Sequence, residues 1–94
     1  MAWIIDKDYG AAPNAKPGTN ANAVGVMGPR GFNGDQSKLV HRFRMLNDDR
    51  ELAYEGRSDD DSSFGPLDDF GEPNVGCTVI QYWVPGPGGG WKDL

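Results

Sequence analysis

Cysteine and histidine each occur once in this 94-residue chain, as Cys77 and His41. A single cysteine excludes an internal disulfide and disfavours a small secreted scaffold held by such bridges. One cysteine and one histidine cannot complete a structural zinc set without carboxylates. Cys77 opens an apolar stretch with no base near it in sequence to lower its pKa, so it reads as a small core residue rather than a nucleophile. No GK[ST] phosphate loop and no G-x-G-x-x-G before a helix is present. Long apolar runs are missing too. Trp3, Ile4 and Ile5 are followed at once by Asp6, too short a run for a signal peptide or a membrane span. A cytoplasmic, reducing setting without membrane attachment is the expectation, and no cofactor is implied.

The glycine and proline content is high, at 14 and 7 residues. No long 3.6-residue periodicity accompanies it. Together these point to one small, loop-rich, mainly β domain over residues 1–94, a small antiparallel sheet of four or five strands with one short helical turn. Apolar residues make up 37% of the chain, enough for a modest core.

The clearest folded unit is a β-hairpin over Val40–Arg57. Phe43 and Met45 alternate with Arg42 and Arg44, and Leu52 and Tyr54 alternate with Glu51, Ala53 and Glu55. Side chains change face at every strand residue, so each strand has an apolar and a charged side. Asn47, Asp48 and Asp49 suit the turn, because short Asx side chains bond nearby backbone and tolerate positive φ. Arg42 and Arg44 are placed to pair with Glu51 and Glu55 across the wet face.

Other elements follow in order. Ala2–Asp8 reads as a strand. Residues 10–35 form a long irregular region, with a short strand at Val24, Val26 and Met27 and turn chemistry at Gly28–Gly31 and Asn33–Gly34. Pro66–Phe70 should be one helical turn that pins Leu67 and Phe70 on the sheet, points Asp68 and Asp69 outward, and is closed by Gly71 and Pro73. Cys77–Val84 is the strongest single strand, apolar on both faces and ended by Pro85. Residues 85–94 are a Gly/Pro-rich tail whose Trp91 and Leu94 are expected to fold back. The expected core is Trp3, Ile5, Phe43, Met45, Leu52, Tyr54, Leu67, Phe70, Val79, Ile80 and Tyr82.

Charge is uneven within a net −5. Residues 1–46 hold three acids and six bases, residues 47–72 ten acids and two bases. An acidic interaction surface formed by Asp48, Asp49, Asp59, Asp60, Asp61, Asp68 and Asp69 follows as a candidate. It would meet a basic protein partner or imitate a nucleic-acid backbone. The EF-hand pattern fails: from Asp60, Gly65 takes the glycine place, but Phe64 and Gly71 stand where oxygen ligands belong. Irregular Ca²⁺ or Mg²⁺ binding by Asp59, Asp60, Asp61, Asp68 and Asp69 stays open. Direct nucleic-acid binding is disfavoured, because alternation sends Arg42 and Arg44 to the face opposite Phe43 and the chain is acidic overall. Exposed sheet edges allow a homodimer. The alternative to a non-enzymatic interaction module is a small-ligand binder or enzyme with a cleft beside the sheet lined by Trp83 and Trp91.

FRMLNDDRELAYEGR (43–57) and LDDFGEPNVGCTVIQYW (67–83) resemble an uncharacterised family of small acidic bacterial proteins. Members pair a start like WIIDKDY with a hairpin F-R-L-x-D-D-D-x-E-L-Y-Y-E-G-R and a later L-D-D-F-G-x-P-N-x-G-C-T. Some similar proteins travel on mobile gene cassettes. The resemblance implies a common fold and transfers no functional residue.

Overall fold

Residues 2–9, 27–28 and 36–94 are described by the computed structural model. The strands are β1 (Trp3–Asp8), β2 (Met27–Gly28), β3 (His41–Leu46), β4 (Leu52–Ser58), β5 (Val79–Val84) and β6 (Gly90–Asp93). They form one antiparallel sheet in the order β2-β1-β4-β3-β5-β6. The mainly β class is as expected: five strands of four to seven residues, plus the two-residue ladder of β2 at one edge. The radius of gyration is 12.6 Å, close to the roughly 12 Å of a folded chain this long. The irregular region expected at 10–35 lies mostly outside the described residues; Met27 and Gly28 pair with Ile4 and Trp3.

The hairpin forms as its alternation dictates, with Phe43, Met45 and Tyr54 fully buried. Asn47 makes the turn. Its Oδ1 accepts from the N–H of both Asp49 and Glu51 at 3.0 Å, and its carbonyl accepts from Arg50 N–H at 3.0 Å. The left-handed residue is Arg50, at φ 63°, rather than one of the Asx residues. Ala53 is an extra residue between the pairs Met45↔Tyr54 and Leu46↔Leu52. This bulge shifts the alternation by one, so Ala53 is buried and Leu52 only half-buried. A second bulge, at Asp6 of β1, falls between Ile5↔Gly56 and Lys7↔Glu55. It aims the Asp6 carboxylate at Arg57, whose Nε and Nη2 donate to it at 2.8 and 2.9 Å.

One face of the sheet is covered by a helical layer. A π-helical piece, Leu67–Gly71, leads directly into α1 (Glu72–Val75). Leu67 and Phe70 are buried against the sheet, with Asp68 and Asp69 exposed. Helical backbone does not stop at Gly71 (φ −64°) or Pro73. Pro73 sits in the first turn of α1, where a missing N–H costs little. The wide turn closed by Glu72 N–H to Leu67 carbonyl absorbs the break it makes in the i→i−4 ladder. Gly71 serves close packing: a Cβ there would press on Met45 Sδ and Cys77. The stop is Gly76, left-handed at φ 73°, whose N–H bonds Glu72 carbonyl at 2.9 Å.

The core between the layers joins Trp3, Phe70 and Tyr54, with ring centroids 5.9 Å apart for Trp3–Phe70 and 5.0 Å for Tyr54–Phe70. Each large side chain so buried contributes about 1.5–3 kcal/mol. The Tyr82 ring lies tilted against Phe43, centroids 6.0 Å apart, and its hydroxyl donates to Ser63 carbonyl at 2.6 Å. Of the expected core, Leu52 and Val79 are only half-buried, while Ile4, Leu39, Leu46, Ala53 and Cys77 join the buried set.

The glycine-rich stretch is a tight turn. Gly86, Gly88 and Gly90 take positive φ, and Gly89 N–H bonds Gly86 carbonyl at 2.9 Å. It returns the chain as β6, so Trp91 folds back onto the sheet as an edge-strand residue.

Candidate functional site

The seven acids of the candidate surface do not share one place. Asp48 and Asp49 sit at the hairpin tip and Asp59–Asp61 follow β4 at its other end. A seven-residue strand separates the two groups by roughly 20 Å. Asp68 and Asp69 lie on the helical layer. Asp59 accepts from the N–H of Ala2 at 2.9 Å, tying β1 to the end of β4. Asp60 Oδ1 accepts from both the N–H and the hydroxyl of Ser62 at 2.7 Å. The Ser62 hydroxyl, aided by its N–H, holds the Asp60 carboxyl below its usual range. Asp61 Oδ2 is 3.9 Å from His41 Nδ1. Asp48, Asp49, Asp68 and Asp69 are exposed and form no ion pair with a described residue. Among the described residues, no three His, Cys, Asp or Glu side chains converge to hold a metal ion.

The sheet face away from the helical layer brings together residues that are far apart in sequence. Arg44 and Gln81 are register partners, as are Trp83 and Trp91. Alternation therefore places Arg42, Arg44, Gln81, Trp83, Trp91 and Asp93 on one side. The Arg44 guanidinium lies 4.4 Å from the Trp91 ring centroid, and that of Arg42 lies 5.2 Å from Trp91 and 5.7 Å from Trp83. The arginines are thus opposite Phe43 but on the same side as two tryptophans, which alternation within a single strand could not reveal. Both are held by internal acceptors. Arg42 donates to Glu55 at 2.8 Å and Arg44 to Gln81 at 2.7 Å. Glu55 also accepts from the Tyr9 hydroxyl at 2.8 Å. Partial desolvation raises the pKa of Glu55, but the bonds from Arg42 and Tyr9 outweigh it and hold the carboxyl below its usual value.

A cleft opens where the sheet divides. The β3–β5 ladder ends at Phe43↔Tyr82. Beyond it His41 and Arg42 remain paired with β4, while Trp83 and Val84 remain paired with β6. The sheet therefore forks into two strand pairs. The cleft between them has a volume of about 330 Å³ and is lined by Val40, His41, Arg42, Asp61, Trp83, Val84 and Pro85. Three of these walls are unusually exposed apolar groups: Val40 at 69%, Val84 at 42% and Trp83 at 38%. Trp83 is among the lining residues of this cleft, whereas Trp91 packs on the neighbouring strand and is not.

No family model matches this chain, and no curated protein or solved structure is found to be similar to it.

Sequence reasoning missed Val40, His41, Arg42, Val84 and Pro85 as site residues. The one available signal was Pro85, which has no N–H and marks where β5 must end. No described helix is long and apolar enough to cross a membrane.

Proposed function

We propose that the chain is a non-enzymatic protein-interaction module whose acidic surface binds a basic partner. What supports this is an imbalance in how charge is used. Every arginine in the described residues is held by an internal acceptor: Arg42 by Glu55, Arg44 by Gln81, Arg50 by Asp93 and Arg57 by Asp6. Asp48, Asp49, Asp68 and Asp69 have no such partner among the described residues. The sheet spends its guanidinium groups on itself and leaves carboxylates facing water. Unneutralised surface charge of this kind steers encounter and selects a partner of opposite sign. It would equally let the chain occupy a nucleic-acid-binding protein by presenting acids where that protein expects phosphates. The single cysteine, buried and unpaired, favours a cytoplasmic site of action. The exposed edge at β6 is where a second copy would pair.

The test is affinity capture from lysate with the native chain and with a variant carrying Asp48→Asn, Asp49→Asn, Asp68→Asn and Asp69→Asn. The captured partner should be basic, and its retention should fall as salt rises. The variant, folding normally, should lose it. Equal capture by both chains overturns the reading.

A further inference from the structure

The fork has a property that the acidic surface does not. Along His41–Arg42 on one side and Trp83–Val84 on the other, the strands face each other without forming a ladder. In a continuous sheet these four residues would pair, because the register that joins Phe43 to Tyr82 puts Arg42 opposite Trp83 and His41 opposite Val84. Instead two strand edges border one cleft. Open strand edges are the surfaces to which extended peptides add through their main chain, with adjacent pockets taking alternate side chains.

We propose that the fork binds a short extended peptide segment of the partner, one that carries an apolar side chain next to a basic one. This rests on the reading of the chain as a protein-interaction module and names what the partner inserts. The cleft volume of about 330 Å³ lies at the small end of ligand sites, which span roughly 300–1,000 Å³. That is room for two or three residues and too little for a folded element. Val40, Trp83, Val84 and Pro85 supply an apolar wall for one side chain.

The charge around the cleft selects the neighbour of that side chain. Arg42 is neutralised by Glu55 at 2.8 Å. Asp61 is 62% exposed at the side chain, and among the described residues its one ion-pair neighbour is His41, 3.9 Å away. The carboxylate of Asp61 is therefore the charge that an incoming lysine or arginine meets. Exposed aromatic and aliphatic groups beside an unpaired backbone edge supply both parts of strand recognition, main-chain bonds for affinity and a pocket for selectivity.

The experiment is selection of linear hexapeptides displayed on phage against the native chain, with Val84→Asp as the counter-target. Val84 is exposed, so this variant keeps the fold, checked by an unchanged unfolding midpoint; Val40→Asp serves as a second. Enriched peptides should carry an apolar residue next to Lys or Arg and should bind either variant at least tenfold more weakly. The amide resonances of His41, Arg42, Trp83 and Val84 should shift on titration with one synthesised peptide. N-methylation of its central amides should weaken it at least tenfold. The proposal is overturned by no enrichment, by equal binding to Val84→Asp, by indifference to N-methylation, or by shifts confined to Asp48, Asp49, Asp68 and Asp69. None of these results touches the acidic-surface reading, which fails only if the four asparagine substitutions leave partner capture unchanged.

Discussion

Trp91 lies directly opposite Trp83 across the β5–β6 ladder, with ring centroids 5.4 Å apart in an edge-to-face arrangement. This pair, with Arg44 over Trp91, fastens the last strand to the sheet. Trp91→Ala should cost about 2 kcal/mol, combining lost aromatic contact, cation–π attraction and apolar area. The loss should be local. Urea unfolding would give the energy. Hydrogen exchange should show protection lost at Gly90–Asp93 and retained in β3 and β4. Trp91→Phe should recover part of it.

Two glycines should respond to alanine in different ways. At Gly56 a Cβ would strike the Ile4 carbonyl and the Phe43 ring. Neither can yield easily, since one is backbone and the other is fully buried. Gly56→Ala should destabilise by about 3 kcal/mol or more. At Gly76 nothing lies within 4 Å, and only the φ of 73° resists a side chain. Gly76→Ala should cost about 1 kcal/mol, and Gly76→Asn less. Denaturant midpoints of the three variants would test this ranking.

Glu55 should give the sheet an acid-sensitive component. Its folded pKa lies below the unfolded value, which is about 4.3. The stability it contributes is therefore complete above that value and lost as pH falls through the lower folded pKa. Native chain and Glu55→Gln should differ by a constant amount from pH 7 down to about pH 5. The gap should close on further acidification. A difference that stays constant to pH 2 would show that Glu55 is not linked in this way.

On the alkaline side, burial raises the pKa of Tyr54 and Tyr82 to about 12 and of Cys77 to about 11. Groups raised in the folded state contribute stability that is full below their unfolded pKa and lost as pH rises through the folded one. Stability should therefore begin to decline at about pH 8.5, where unfolded Cys77 ionises, and fall further above about pH 10, where the unfolded tyrosines follow. At pH 8 the thiol of Cys77 should resist a disulfide reagent until urea unfolds the chain. Rapid labelling of folded protein would contradict its burial.

The hairpin was legible because period-2 alternation is a property of single residues, and Phe43, Met45 and Tyr54 obey it. What escaped were features set by neighbours in space. A one-residue bulge at Ala53 leaves no mark in composition. Gly71 and Pro73 carry the usual signals of a helix end, yet here one makes room for Met45 and the other starts a new turn. Three positive-φ glycines in a tight turn read the same as a flexible tail. The face of Arg42 and Arg44 could be read from the sequence, but not the arrival of Trp83 and Trp91 beside them. The fork escaped for the same reason, since no residue pattern states where two strands stop pairing.

Strand β1 lies inside the sheet between β2 and β4, although the strand it docks on comes much later in the chain. Ala2 and Asp59, which bind each other across that junction, are 57 residues apart. On the ribosome Trp3, Ile4 and Ile5 must wait for β4, some fifty residues further on, to emerge before they gain their main strand partner. Through that interval the apolar segment has only the two-residue ladder to β2 to pair with, and long-range closure of this kind is slow. Biogenesis, more than final stability, is where this topology makes the nascent chain vulnerable to chaperone capture or aggregation.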